Sequence, residues 1–173
     1  MKRFLPVLVG VFAFTAVEST FAQDLSTDIN WNQCKGVGTE DVIAGCTAVI
    51  RSGNESLLSL AVAFTFRGNA YMRAGEPDRA ALDFSQAMRF DNQKLAPILG
   101  YGLALYAQGR PLQALDVLNA AIARNPRYAE AIYARGLVKR SLGATEDAND
   151  DFSSARNVSA GVTRSLADLG IKL

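Results

Sequence analysis

Apolar and polar positions follow two rhythms along this chain. A nearly unbroken apolar run from Leu5 to Val17 comes first, directly after Lys2 and Arg3. From Thr39 onward, apolar residues recur at three- and four-residue steps, which gathers them on one face of an α-helix. Ile43, Cys46, Thr47 and Ile50 share such a face, with Thr39 placed as N-cap and Glu40 and Asp41 in the first turn. Between Ala61 and Val162 the helical pattern returns at a fixed step. Gly68, Gly102 and Gly136 are 34 residues apart, and the columns Ala80, Ala114, Ala148 and Ala87, Ala121, Ala155 keep that step. So does the bulky column Phe84, Leu118, Phe152.

Each unit carries two helices and its own punctuation. In the first unit the pattern predicts a helix over 56–74 and a second over 79–90. Gly75-Glu76-Pro77 lies between them, with glycine at a C-terminal cap and proline in a first turn. Gly109-Arg110-Pro111 repeats this punctuation. In the third unit Gly143 stays, Thr145 replaces the proline, and Glu146 and Asp147 complement the helix dipole. Glycine in mid-helix costs up to about 1 kcal/mol against alanine. The column at Gly68, Gly102 and Gly136 therefore predicts close approach of a neighbouring backbone, matched by Ala80, Ala114 and Ala148. Phe84, Leu118 and Phe152 are expected to fill the space between units beside Phe64, Ile98 and Ile132. One such pair cannot bury its apolar face alone, so the units must stack.

The chain divides accordingly. Residues 1–22 have a basic start, the apolar run, and the small residues Thr20 and Ala22, and are expected to be a cleaved signal peptide. Residues 23–60 are an N-terminal segment, polar and irregular up to Gly38, followed by a capping helix. Residues 61–162 hold three repeats, at 61–94, 95–128 and 129–162. Residues 163–173 are expected to form a second capping helix over the last repeat, with Val162, Leu166, Leu169 and Ile171 as its apolar contacts.

Composition narrows the function. The 173 residues carry a formal net charge of +1, which gives no basic excess for nucleic acid. Histidine is absent, and with it the commonest metal ligand and general base. No nucleophile–base constellation and no phosphate loop stand out, so no catalytic, cofactor or metal residues are expected. Glu146, Asp147, Asp150 and Asp151 are dense, but they lack the glycine and the closing glutamate of a calcium loop. They read as a solvated helix face. Cys34 and Cys46 form an even pair in a chain with export features, so a structural disulfide is expected. No cysteine follows the apolar run to carry a lipid, so the mature protein is expected to be periplasmic, without a membrane anchor. Its oligomeric state is not legible.

These residues resemble the tetratricopeptide repeat (TPR) family, whose pattern is W-x2-L-G-x2-Y, then A-x3-F, then A and P. Gly68, Tyr71, Ala80, Phe84, Ala87 and Pro126 fit it. Phe64, Ile98 and Ile132 stand at the tryptophan position, and Leu105 and Lys139 replace the tyrosine. More loosely, the Cys34–Cys46 segment looks like the start of small exported repeat proteins of Gram-negative bacteria. The resemblance implies an all-α, right-handed solenoid of helical hairpins with atypical caps at both ends. It also implies a protein or peptide partner held on a concave face lined by the first helices. By register that face includes Val62, Thr65, Asn69 and Met72, then Leu99, Leu103 and Tyr106, then Tyr133, Leu137 and Arg140. Of the carboxylate-gripping cluster of one subclass, only Asn69 is present; Thr65, Gly100, Glu130 and Ala134 occupy the other places. The expected role is a non-enzymatic interaction module of the cell envelope. The alternatives are a scaffold that binds through its convex surface or termini and, further off, a carboxylate-type cell-wall enzyme.

Overall fold

Left-handed glycines and the residues just after them set the boundaries of the array. Gly75, Gly109 and Gly143 have φ of 74°, 73° and 86°, which L side chains rarely adopt. At the first of these, the amide of Glu76 donates to the Tyr71 carbonyl (2.9 Å) and that of Gly75 to Met72 (3.1 Å). Carbonyls left open at the helix end are satisfied, and Pro77 or Pro111 starts the next helix where no amide is needed.

The computed structural model describes residues 26–171, and helices are the only regular elements among them. They are α1 (26–34), α2 (Thr39–Ser52), α3 (Leu57–Arg73), α4 (Pro77–Phe90) and α5 (Leu95–Ala107). There follow α6 (Pro111–Arg124), α7 (Ala129–Ser141), α8 (Thr145–Val158) and α9 (Val162–Asp168). Each helix from α2 to α7 packs on the next, and α3, α5 and α7 also touch in sequence. Three hairpins thus stack with their first helices in one layer, the all-α TPR-type solenoid expected. The signal peptide assigned to 1–22 lies outside the described residues.

A bulky side chain per hairpin locks this stack. A Cβ built at Gly68 would sit 2.8 Å from the Phe84 ring, and one at Gly136 would sit 2.7 Å from Phe152. At Gly102 the corresponding neighbour is Leu118, 3.0 Å away. The glycine column therefore opens a seat for the Phe/Leu column of the same hairpin, rather than for a neighbouring backbone. At Gly136 backbone is also near, the Ala148 carbonyl at 3.1 Å. Phe84 also reaches the next hairpin, where its ring fills the space a Cβ of Gly100 would need. One period later the same two positions carry Leu118 and Ala134, both fully buried. A smaller plug meets a larger wall, so volume is conserved from one interface to the next.

The N-terminal end departs from expectation. The stretch before Gly38 is a helix over 26–34, not an irregular segment. So short a helix has little intrinsic stability, and tertiary contacts hold it. Cys34 and Cys46 are bonded and fully buried, with Cα atoms 4.5 Å apart. A Cβ at Gly45 would collide with the Cys34 amide at 2.6 Å, so that glycine lets α1 lie directly on α2. Trp31 Nε1 donates to Glu55 Oε1 (2.8 Å), which ties α1 to the turn before α3. The N-cap of α2 is Gly38 and Thr39 begins the helix; no side chain caps it.

Gly100→Ala is expected to lower stability by about 1–2 kcal/mol despite the better helix propensity of alanine, because the Phe84 ring has no free space to move into. In Phe84→Leu, which copies the second interface, the same change is expected to be neutral or stabilising. Urea denaturation of the four proteins measures the coupling; an equal cost in both backgrounds would contradict the plug-and-seat arrangement.

Candidate binding face

The layer of first helices is the surface on which the sequence places a partner. The ten residues assigned to it do not form one open groove. Leu99, Leu103 and Leu137 are buried in the main core. Tyr133 is buried too, its ring 4.6 Å from that of Phe152, and exposed Arg140 lies over the same phenylalanine at 5.2 Å. These two side chains therefore face α8. Thr65 Oγ1 donates to the Ala61 carbonyl of its own helix (2.7 Å), and Asn69 is half-buried. Met72, Leu103 and Tyr106 do come together, along a cleft of about 520 Å3. Val62 is exposed and lines a separate cleft of about 720 Å3 with Leu58, Trp31 and Lys35.

The centre of the layer is occupied by the chain itself. The helix α9 packs on α7, with Val162 and Leu166 fully buried. Beyond it, a Cβ at Gly170 (φ 84°) would lie 2.9 Å from the Arg73 Cα at the end of α3. Ile171 then lines the cleft of Met72, Leu103 and Tyr106. Expected to cover the last repeat, the C-terminal segment packs there on α7 and then runs on along the first helices to the end of α3. The reason lies in α8, whose outer positions Asp147, Asn149, Asp150, Ser153, Ser154 and Asn157 are all exposed. They offer an apolar strip nothing to bury against, and α8 serves as its own polar cap.

The acidic cluster also divides. Glu146, Asp147 and Asp150 are solvated, as expected. Asp151 is buried, accepting from Arg135 Nη2 (2.7 Å) and Nε (2.9 Å) and paired with Lys139 Nζ at 3.0 Å. Two periods earlier Arg67 forms the same forked pair with buried Asp83, at 2.7 and 2.8 Å, and reaches Thr47 of α2 at 3.0 Å. The middle hairpin has Tyr101 and Val117 at these places. The 68-residue spacing of Arg67 and Asp83 from Arg135 and Asp151 was the available signal. Burial of the Asp151 carboxyl opposes its ionisation, but hydrogen bonds from Arg135 and Lys139 outweigh it and hold the pKa below the usual carboxylate range. The group is an ionised acceptor held between two helices.

The cleft of Trp31, Leu58 and Val62 escaped the sequence reading, because the stretch containing Trp31 shows no helical period of its own. Leu58 and Val62, both exposed, are the aliphatic residues of α3 that line it.

Asp151→Asn is expected to cost about 2–3 kcal/mol at pH 7, below the roughly 3–5 kcal/mol of a fully buried broken pair, because both cations keep some solvent access. A carboxylate with a depressed folded pKa contributes fully above its unfolded pKa of about 3.9 and loses that contribution as pH falls through the folded value. The gap between wild type and variant should therefore narrow as pH drops below about 4. Urea melts at pH 7 and at acid pH test this; a constant gap would contradict the ionised pair.

Comparison with known proteins yields fold relatives. No family model matches the chain, and no curated protein sequence matches it. Among solved structures it is similar to the MamA protein, with TM-score 0.65 and 22% identity over 87% of this chain and 80% of that one. It is similar to a thermophilic TPR protein of Thermus thermophilus, with TM-score 0.67 and 18% identity over 85% of this chain and 80% of the other. It is also similar to the first TPR of Spaghetti (RPAP3) bound to the HSP90 peptide SRMEEVD, with TM-score 0.56 and 22% identity over 65% of this chain and 91% of that one. At these identities the likeness is one of fold.

Proposed function

We propose that this protein is a non-enzymatic interaction module of the bacterial cell envelope that holds an apolar helical segment of a partner protein against its layer of first helices. The observation that carries this reading is that the layer already accommodates a helix. It buries Val162 and Leu166 of α9 completely while leaving the Met72–Tyr106 cleft open beside it. Aliphatic and aromatic side chains presented on rigid helices suit a short amphipathic ligand. The TPR of RPAP3, similar in fold, is bound to a peptide. A carboxylate-gripping ligand site is disfavoured in this chain, because Gly100 and Ala134, at two positions of that cluster, are buried.

The envelope assignment rests on the basic start and apolar run of 1–22 and on the buried Cys34–Cys46 bond. Such bonds persist in oxidising compartments. A second reading places the partner at the N-terminal end, and the exposed Leu57, Leu58 and Val62 beside the Trp31 cleft favour it.

Crosslinking capture from a cell-envelope extract separates the two. Tyr106→Glu is expected to reduce capture of the partner at least about tenfold, the loss of roughly 1.4 kcal/mol or more that one interface aromatic carries. Leu57→Glu with Leu58→Glu is expected to leave capture unchanged. The opposite pattern would move the site to the N-terminal cleft, and capture retained by both folded variants would reject both surfaces.

A further inference from the structure

We infer that α9 is a self-ligand: it occupies the seat of the partner segment and leaves when that segment binds. The inference rests on the reading of the first-helix layer as the binding face, and it adds both the ligand chemistry and the regulation. The segment from Val162 to Ile171 touches the layer at both ends of the array, on α7 and at the end of α3. Its attachment, like the apolar junction of α5 with α6, contrasts with the covalent or charged ones elsewhere in the fold. A disulfide fixes α1 to α2, and forked ion pairs join α3 to α4 and α7 to α8. Among the described residues, no hydrogen bond or ion pair joins the segment 162–171 to α3, α5 or α7; its backbone bonds are all local. Apolar contact and close backbone packing alone hold it there.

Its own length keeps this attachment reversible. The helix α9 has seven residues, far short of what sustains an isolated helix in water, so it is helical only while seated. The connection to α8 is Ser159-Ala160-Gly161, with Ala160 and Gly161 exposed and open space around Gly161. Phe84, Leu118 and Phe152 have their own seats on Gly68, Gly102 and Gly136, so each hairpin keeps that contact when α9 departs.

The seated segment also specifies the partner. Val162, Leu166, Leu169 and Ile171 supply aliphatic contacts at steps of four, three and two. Between the last two, Gly170 is the one residue whose backbone must lie against Arg73, in a conformation and a space that exclude a side chain. The ligand is therefore a short amphipathic helix ending in an aliphatic–glycine–aliphatic step.

The test uses a fluorescent synthetic peptide of residues 159–173, titrated into the full protein by anisotropy. Wild type is compared with Gly170→Val, which obstructs seating without altering the face, and with Leu166→Glu, which removes a buried anchor. Circular dichroism and melting confirm that the repeats remain folded. Both variants are expected to bind the peptide at least tenfold more tightly than wild type, and the peptide carrying Leu166→Glu is expected to bind none of the three. Equal affinity for wild type and folded variants, or no binding to any, would overturn the inference. A wild-type dimer that exchanges α9 between copies would overturn it as well. Failure of the parent reading is separate: the peptide would still bind the released seat, while Tyr106→Glu left envelope capture unchanged.

Discussion

One interaction per hairpin sustains this architecture: a bulky side chain from the second helix seated where the first helix carries no side chain. Helix pairs of this length are marginal alone, and the free energy that orders them comes from burial between helices. Phe84 does double duty, filling the Gly68 seat in its own hairpin and the Gly100 wall of the next. The stacking of α4 on α5, and so the position of α3 relative to α5, follows from that ring. The proposed binding face belongs to that same layer, so its shape depends on what the plugs hold apart.

Polar contacts supplement the plugs unevenly. The first and third hairpins each bury a carboxylate against an arginine, and the first also reaches back to Thr47 of α2. The middle hairpin, with Tyr101 and Val117 in those places, relies on apolar packing. Buried ion pairs add little net stability but fix geometry strongly, since removing one partner leaves a charge without its counterpart. Their presence fixes how the two helices of the first and third hairpins are oriented against each other.

The period was legible because each repeat imposes the same local demand: a residue that must be absent at Gly68, one that must be small at Ala80, one that must be large at Phe84. Such demands mark sequence directly. Demands met across distance leave fainter marks. The helix containing Trp31 and Cys34 has no periodic face of its own and is defined by Gly45 and a sulfur bridge twelve residues away. Asp151 looked like one more surface acid, since nothing in its own turn distinguishes it from Asp150; its partner Arg135 lies on another helix. The register of the repeat family placed Tyr133 on the binding face, whereas its ring stacks on Phe152, which has no following hairpin to cover it. Where Val162, Leu166 and Ile171 would land depended on the polarity of the whole of α8, a property of a surface and not of a motif.

The two ends of the array are fastened by different kinds of force. A covalent bond between Cys34 and Cys46 secures one, while the other is closed by a few aliphatic contacts and a glycine lying on Arg73. In a linear assembly of nearest-neighbour contacts, opening starts where anchorage is weakest. Here that point is also the covering of the layer of first helices. Fraying in this molecule therefore has a polarity, and its first step uncovers a surface instead of losing one: heat, mild denaturant and an arriving guest all push the same latch.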